Sequence, residues 1–184
     1  RYLIITTGIA DKLSQLGKIN EALGFSHEAL KWGKQYAISP ANISVIYKDL
    51  INTYVLNNQL DSAEKYVNIA TPDSLEINLQ DFSNVVTTRQ AKARYFTMLG
   101  KYEIADSIIR SCYPVIEKFS IPTFSFSGII FPWYYHAIIK VKQNKHAEAL
   151  SLLEKGIPKV IHSRQASLLM LKLKAEICSE LKLY

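Results

Sequence analysis

The sequence predicts an all-α protein built as a stack of helical hairpins, and three observations support this fold class. A four-fold internal repeat runs along the 184 residues. Each repeat unit places apolar residues at spacings of three and four on both sides of a Gly or Asn, which is the spacing of amphipathic helices. All six prolines fall outside the helix–turn–helix cores, where helices begin or end. No strand is needed anywhere.

Each repeat unit centres on a residue that can end a helix. Gly and Asn accept the left-handed conformation found at helix C-termini, and the turn residues are Gly17, Asn58, Gly100 and Asn144. Small or apolar residues precede these turns in the same register at Ala10, Ile51, Ala93 and Ala137. An alanine follows each turn at Ala22, Ala63, Ala105 and Ala149, and a small residue follows further on at Ala29, Ala70, Cys112 and Gly156. These small residues let the two helices of a hairpin approach closely.

The units follow one another along the whole chain as a single domain, residues 1–184. We predict units over residues 3–43, 44–85, 86–129 and 130–167, with a partial fifth over 168–184. In the second unit Tyr47, Leu50, Ile51 and Tyr54 form one apolar face of the first helix. The third unit and the fourth show the same pattern, the latter through Trp133, Ala137 and Val141.

The partial fifth unit supplies a first helix without its partner. The repeat pattern of a first helix is matched here by Leu171, Ala175, Cys178 and Tyr184. We also predict that Leu169, Leu173 and Ile177 lie exposed, since no following helix covers them.

The pattern resembles the tetratricopeptide repeat (TPR), whose signature places an aromatic residue, Leu, a small residue and Tyr on the first helix. The second unit fits best, with Tyr47, Leu50, Ile51 and Tyr54 followed by Ala63. Successive alanines are 41, 42 and 44 residues apart, against about 34 in the standard repeat. Such long repeats resemble the sensor or regulatory regions of bacterial signalling proteins. The resemblance implies a right-handed superhelix that binds proteins or peptides.

The resemblance also implies a binding surface, because the first helices of such a stack line its concave side. The family's groove positions correspond here to Lys48, Asn52, Gln90, Arg94, Tyr134, Lys142 and Lys172, with Asp11 and Glu176 at the ends. Lys48, Arg94 and Lys142 present a line of positive charge to an acidic peptide, or are three solvated side chains. A carboxylate clamp is incomplete, since Ala91 stands where it needs Asn.

A second candidate surface is the aromatic stretch from Phe119 to Tyr135. Its rings either offer an anchor to a partner, through Phe124 and Phe126 as candidate contacts, or cover the joint between two units. Packing at the joint is the commoner use of such dense aromatic residues.

The sequence shows no catalytic constellation. Cys112 and Cys178 are far apart, and the four histidines lack metal-ligand spacing. No nucleophile elbow, phosphate-binding loop or dinucleotide fingerprint occurs. We therefore predict no enzyme activity, no cofactor and no metal for this region, and no segment is apolar enough to span a membrane.

The net positive charge of the chain is compatible with an alternative function. Lys and Arg exceed the acids by 6, and the last quarter, from Ala137, holds nine basic residues against four acids. A nucleic-acid-associated regulator that uses this basic end is the alternative function, although no arginine cluster or known nucleic-acid-binding fold supports it. A self-associating adaptor, a homo-oligomer formed through the C-terminal helix, is another.

The function predicted from sequence is non-catalytic binding of a protein or peptide, which is acidic if the cation line is used. Because the chain starts at Arg1 and the fifth unit is incomplete, we expect a sensing or scaffolding region of a larger bacterial regulator. The compartment stays open: periplasmic within a membrane-anchored sensor, otherwise cytoplasmic.

Overall fold

The computed structural model describes residues 2–36, 38, 40–70, 82–118, 132–160 and 163–182, and within these residues it contains helices and no strand. The helices are α1 (Tyr2–Gln15), α2 (Ile19–Gln35), α3 (Pro40–Leu56), α4 (Leu60–Ile69), α5 (Phe82–Met98), α6 (Tyr102–Arg110), α7 (Cys112–Lys118), α8 (Pro132–Lys142), α9 (His146–Gly156) and α10 (Arg164–Glu180). A single 3-10 turn, Ile157–Val160, follows α9.

The helices pair as hairpins, and the hairpins stack in chain order. Helix α1 packs on α2, α3 on α4, α5 on α6 and α8 on α9. The next first helix then packs on the previous hairpin: α3 contacts α1 and α2, α5 contacts α3 and α4, and α8 contacts α5 and α6. Helix α10 rests on α8 and α9. The predicted all-α stack of hairpins is confirmed, while the exact limits of the units stay a prediction.

The four turns share one hydrogen-bond pattern, which explains the repeated Gly and Asn. The turn residues all have a positive φ: 75° at Gly17, 55° at Asn58, 73° at Gly100 and 59° at Asn144. At the first turn the N–H of Lys18 donates to the carbonyl of Leu13 at 2.9 Å. In the other three turns the N–H of the residue after the turn residue also donates to the carbonyl five positions earlier, as in the Schellman motif. The predicted C-caps are therefore confirmed.

The small residues of the repeat lie where helices meet. The alanines that follow the turns, Ala22, Ala63, Ala105 and Ala149, are completely buried. Gly156 shows the closest approach, because a Cβ added to it would lie 2.6 Å from Cβ of Trp133 and would also overlap Met170. Only a hydrogen atom fits at this junction of α8, α9 and α10.

In the fifth unit the sequence prediction was wrong for Ile177. Of the three residues predicted to be exposed on α10, Leu169 is 38% exposed, Leu173 is half-buried and Ile177 is only 1% exposed. Leucines occur on several sides of α10, so its periodicity does not select a buried face, and packing on α8 and α9 selects it. The helix begins at Arg164, where the Oγ of Ser163 accepts the N–H of Ala166 at 3.3 Å.

Candidate functional site

The predicted groove residues lie on the first helices, α1, α3, α5, α8 and α10. We call the surface made by these residues the inner face: Lys48, Asn52, Gln90, Arg94, Tyr134, Lys142 and Lys172, with Asp11 and Glu176 at the ends. Neighbouring helices bring some of these side chains within electrostatic range of one another. Burial raises the pKa of Tyr134 most, Tyr135 and Glu176 raise it further, and Arg94 lowers it. Residues of α5, α8 and α10 therefore influence one side chain, as expected when the positions share a surface.

Lys48 is held by an ion pair within its own helix. Its Nζ lies 2.9 Å from Oδ1 of Asp49, and the two side chains are 12% and 3% exposed. Burial by itself lowers the pKa of Lys48, but Asp49 outweighs burial and the pKa is raised. Lys48 is therefore charged and neutralised internally. This removes it from the predicted line of free positive charge.

Asp49 is an unusual carboxylate for a helix interior. Neither of its oxygens has a hydrogen-bond partner of good geometry within the residues that the structure describes. Burial, the largest cause, raises the pKa of Asp49 to about 6; Lys48 lowers it, and Asp11 of α1 raises it. The pair is thus a buried charge contact beneath the inner face, compensated mainly by Lys48.

Within the described ranges, Arg94 and Lys142 remain as cations of the inner face without an ion pair. Arg94 is half-buried and Lys142 is exposed, and neither makes an ion pair with another described residue. Asn52, which holds the place of Arg94 one hairpin earlier, is half-buried and likewise makes no hydrogen bond within the described ranges. The middle of the inner face therefore offers hydrogen-bond donors that no other described residue uses.

The remaining predicted residues are placed differently. Gln90 is only 4% exposed, and its Nε2 has no hydrogen-bond partner among the residues described. Lys172 on α10 is exposed and lies 3.9 Å from Glu176, a separation at which an exposed ion pair contributes little. Phe124 and Phe126, the candidate aromatic contacts, lie outside the described residues.

A buried polar cluster that the sequence did not reveal joins the third hairpin to the fourth. Asp106 of α6 accepts hydrogen bonds from Nε2 of His136 at 2.8 Å and from Nζ of Lys140 at 2.7 Å. Arg110 approaches its other oxygen at 2.9 Å. His136 and Lys140 are 5% and 3% exposed. The spacing of these two polar residues one turn apart on the apolar face of α8 is the signal that could have indicated a buried partner.

The cluster continues to Tyr113, whose hydroxyl lies 2.8 Å from Nδ1 of His136. Burial, the largest cause, lowers the pKa of His136, so its neutral form donates from Nε2 to Asp106 and accepts from Tyr113 at Nδ1. Burial also raises the pKa of the Tyr113 hydroxyl far above its usual range. A hydroxyl this difficult to ionise is a poor nucleophile. The Tyr–His–Asp arrangement therefore joins α6, α7 and α8 by hydrogen bonds.

Two further features were searched for in the described part of the chain. It contains no group of three or more His, Cys, Asp or Glu that could hold a metal ion. None of its helices has the length and apolar character needed to cross a membrane.

The structure can be compared with solved structures. It superposes on the crystal structure of a chain described as a kinesin light chain from Podospora anserina with nearly identical TPR-like repeats. The TM-score is 0.64, and the match covers 95% of this chain and 84% of that one, at 15% sequence identity. The fold is TPR-like. No protein-family model matches the sequence, and no curated protein matches it either.

At 15% identity the likeness concerns the fold alone, so the ligand must be argued from the side chains of the inner face.

Proposed function

We propose that this TPR-like chain is a non-catalytic scaffold that binds a protein or peptide segment along its inner face, with Arg94 at the centre of the contact. The proposal rests above all on the state of Arg94. It is half-buried on α5 without an ion pair among the described residues, while Lys48 on α3 is neutralised by Asp49. Partial burial strengthens the attraction of such a guanidinium for an acceptor.

The donors suggest the chemistry of the ligand. Arg94, Asn52 and Lys142 present N–H groups, and these groups match carboxylate side chains and the carbonyl oxygens of an extended peptide. A guanidinium can bind a carboxylate through two parallel hydrogen bonds, which adds directional specificity. The favoured ligand is therefore a peptide with an acidic residue opposite Arg94.

The basic C-terminal quarter gives less support to nucleic-acid binding. Among its cations, Lys140 is buried against Asp106 and Glu148, and Lys174 lies 3.2 Å from Glu154. Lys172 lies near Glu176. A cation already next to a carboxylate gains less from a phosphate, because that contact must be exchanged. These pairs favour a protein ligand over nucleic acid.

An array of immobilised peptides of systematically varied charge provides the test. We expect binding to concentrate on peptides with acidic residues and to weaken as salt is raised. For the best peptide, Arg94→Ala should weaken binding by about 10- to 100-fold, the effect of losing a charged hydrogen bond worth ~1.5–3 kcal/mol.

The matched control is Lys155→Ala, which removes one exposed cation from α9, the second helix of the fourth hairpin. It changes the net charge by the same amount as Arg94→Ala. Because Lys155 does not belong to the inner face, this variant should keep the affinity within about twofold of the wild type. Equal losses for the two variants would show that binding follows net charge and would refute a site at Arg94.

We also propose that the scaffold serves as the sensing or interaction region of a larger bacterial signalling regulator. The long repeat spacing of 41 to 44 residues supports this context through its resemblance to such regions. Sequencing of the parent protein tests it, since a kinase or DNA-binding domain in the same polypeptide is expected. A parent with neither would contradict the proposal.

A further inference from the structure

One row of residues on the first helices changes its charge from helix to helix. It lies six positions before each turn residue, and we call it the central row: Asp11 on α1, Asn52 on α3, Arg94 on α5 and Ile138 on α8. Because the four turns share one hydrogen-bond pattern, these residues occupy equivalent places on their helices. All four are half-buried. The central row therefore runs from an acid through a neutral amide to a cation within the first three of these helices.

The α1 end of the central row carries a net negative charge. One carboxylate oxygen of Asp11 accepts a hydrogen bond from Nε2 of Gln15 at 2.8 Å, and no cation in the described ranges forms an ion pair with Asp11. Asp11 is close enough to Lys48 of α3 to raise the pKa of that side chain. Lys48, however, lies 2.9 Å from Asp49. Two carboxylates and one ammonium group thus meet between α1 and α3, which leaves one negative charge uncompensated there.

The acid at the other end of the inner face is placed differently. Glu176 lies six positions before Lys182, whose φ is also positive, at 53°. Glu176 is exposed, and its carboxylate lies 3.9 Å from Nζ of Lys172 on the same helix. A cation is therefore already near Glu176, whereas Asp11 has no such cation to itself.

The central row stays open to solvent even where a helix lies on each side of it. Helix α3 packs between α1 and α5, and α5 packs between α3 and α8. Asn52 and Arg94 on these two inner helices are nevertheless half-buried and not covered. A further hairpin before α1 would therefore leave Asp11 open in the same way.

The stack also sets the distance between the two charges. Packed helices lie about 8–10 Å apart, so two such steps, from α1 to α3 and from α3 to α5, place Asp11 and Arg94 about 16–20 Å apart. An extended peptide advances ~3.3 Å per residue. About five or six residues of a bound segment therefore span the distance from Arg94 to Asp11.

We propose that the segment bound along the inner face carries a basic residue opposite Asp11, about five or six residues away from the acidic residue opposite Arg94. This inference rests on the proposed function and adds to it the second charge and its spacing. Opposite charges attract at both contacts, and a second acidic residue opposite Asp11 is repelled. The ligand is therefore a peptide with one base and one acid in a fixed register, rather than a uniformly acidic one.

Fluorescence anisotropy with the whole chain tests the proposal. The probes are fluorescein-labelled versions of the best-binding peptide of the array, which keep a single glutamate and carry one lysine at every separation on either side of it. Affinity should be highest at a separation of about five or six residues in at least one chain direction. The gain over the lysine-free peptide should be about two- to fivefold, as for an ion pair near the surface. Glutamate in place of that lysine should lower the affinity.

Variants assign the gain to Asp11. Asp11→Asn should remove the gain from lysine, and Asp11→Lys should reverse the preference from lysine to glutamate at that peptide position. The matched control is Glu64→Gln, which neutralises an exposed acid on α4, a second helix, and should keep the gain. Circular dichroism checks the folding of each variant, and Asp11→Ser replaces Asp11→Asn if the latter unfolds.

The outcomes separate this inference from the proposed function. If Arg94→Ala weakens binding but the position of the lysine has no effect, the inference is overturned while the site at Arg94 stands. A gain that survives in Asp11→Asn, or one that Glu64→Gln removes equally, also overturns it. If Arg94→Ala has no effect, the proposed function itself fails, and the register fails with it.

Discussion

Replacing Gly156 with alanine should destabilise the protein, although alanine favours helices over glycine. The added methyl group would lie 2.6 Å from Cβ of Trp133 and 3.0 Å from its Cγ. The Trp133 side chain is 7% exposed, so it has little room to move. Overpacking of this kind costs about 1–3 kcal/mol. The helix-propensity gain is small here because Gly156 is the last residue of α9.

Gly24→Ala is the matched control. Gly24 lies inside α2, and a Cβ added there would meet no atom within 4 Å. The same substitution should therefore stabilise the chain by about 0.5–1 kcal/mol through helix propensity alone. The two variants differ by one methylene each from wild type and should move in opposite directions.

Thermal unfolding followed by circular dichroism measures the difference. For a chain of this size each kcal/mol shifts Tm by about 2–4 °C, so a difference of about 1.5–4 kcal/mol places the two midpoints about 3–16 °C apart. If Gly156→Ala is as stable as Gly24→Ala, then α8, α9 and α10 do not meet closely at Gly156, and the explanation of the small residues in the repeat is refuted.

Three further predictions concern buried charge and a cap. Asp106→Ala should cost about 3–5 kcal/mol in denaturant unfolding, because His136 and Lys140 stay buried without their acceptor; an unchanged midpoint would contradict the cluster. Burial raises the Asp49 pKa from 3.8 to about 6, so the folded chain binds a proton that the unfolded chain releases. Protonation of Asp49 therefore adds to the free energy of unfolding fully below pH 3.8, and this addition falls by up to ~3 kcal/mol as pH rises to about 6. The Asp49→Asn variant should not show this fall, so the difference between the free energies of unfolding of the two proteins should change over this pH range. Ser163→Ala should cost about 1 kcal/mol by freeing the N–H of Ala166, and a stability equal to wild type would show that water replaces the cap.

The residues of the inner face show which properties of a site a family resemblance can predict. Lys48, Arg94 and Lys142 were predicted together because each occupies one of the family's groove positions on the first helix of its unit. The structure distinguishes them, since Asp49 neutralises Lys48 and leaves Arg94 without an ion pair among the described residues. Sequence spacing places a residue on a helix face, but the free charge of that residue depends on neighbours from other helices.

The sequence by itself determined the hairpins and their order. Gly17 and Asn58 mark turns because only certain residues tolerate a positive φ, and Ala22 and Ala63 mark close helix contacts because larger side chains do not fit. Both constraints act within one hairpin, so they leave a periodic signal along the chain.

The tertiary structure alone decided the register of α10 and the partners of the buried charges. Leucines on several sides of α10 leave its buried face undetermined until α8 and α9 cover Ile177. Asp106 and Lys140 lie on different hairpins, and their pairing at 2.7 Å depends on how the third hairpin meets the fourth. Such contacts join residues that are distant in sequence, so they produce no periodic pattern along the chain. The turns and small residues do produce one, because they repeat in every unit.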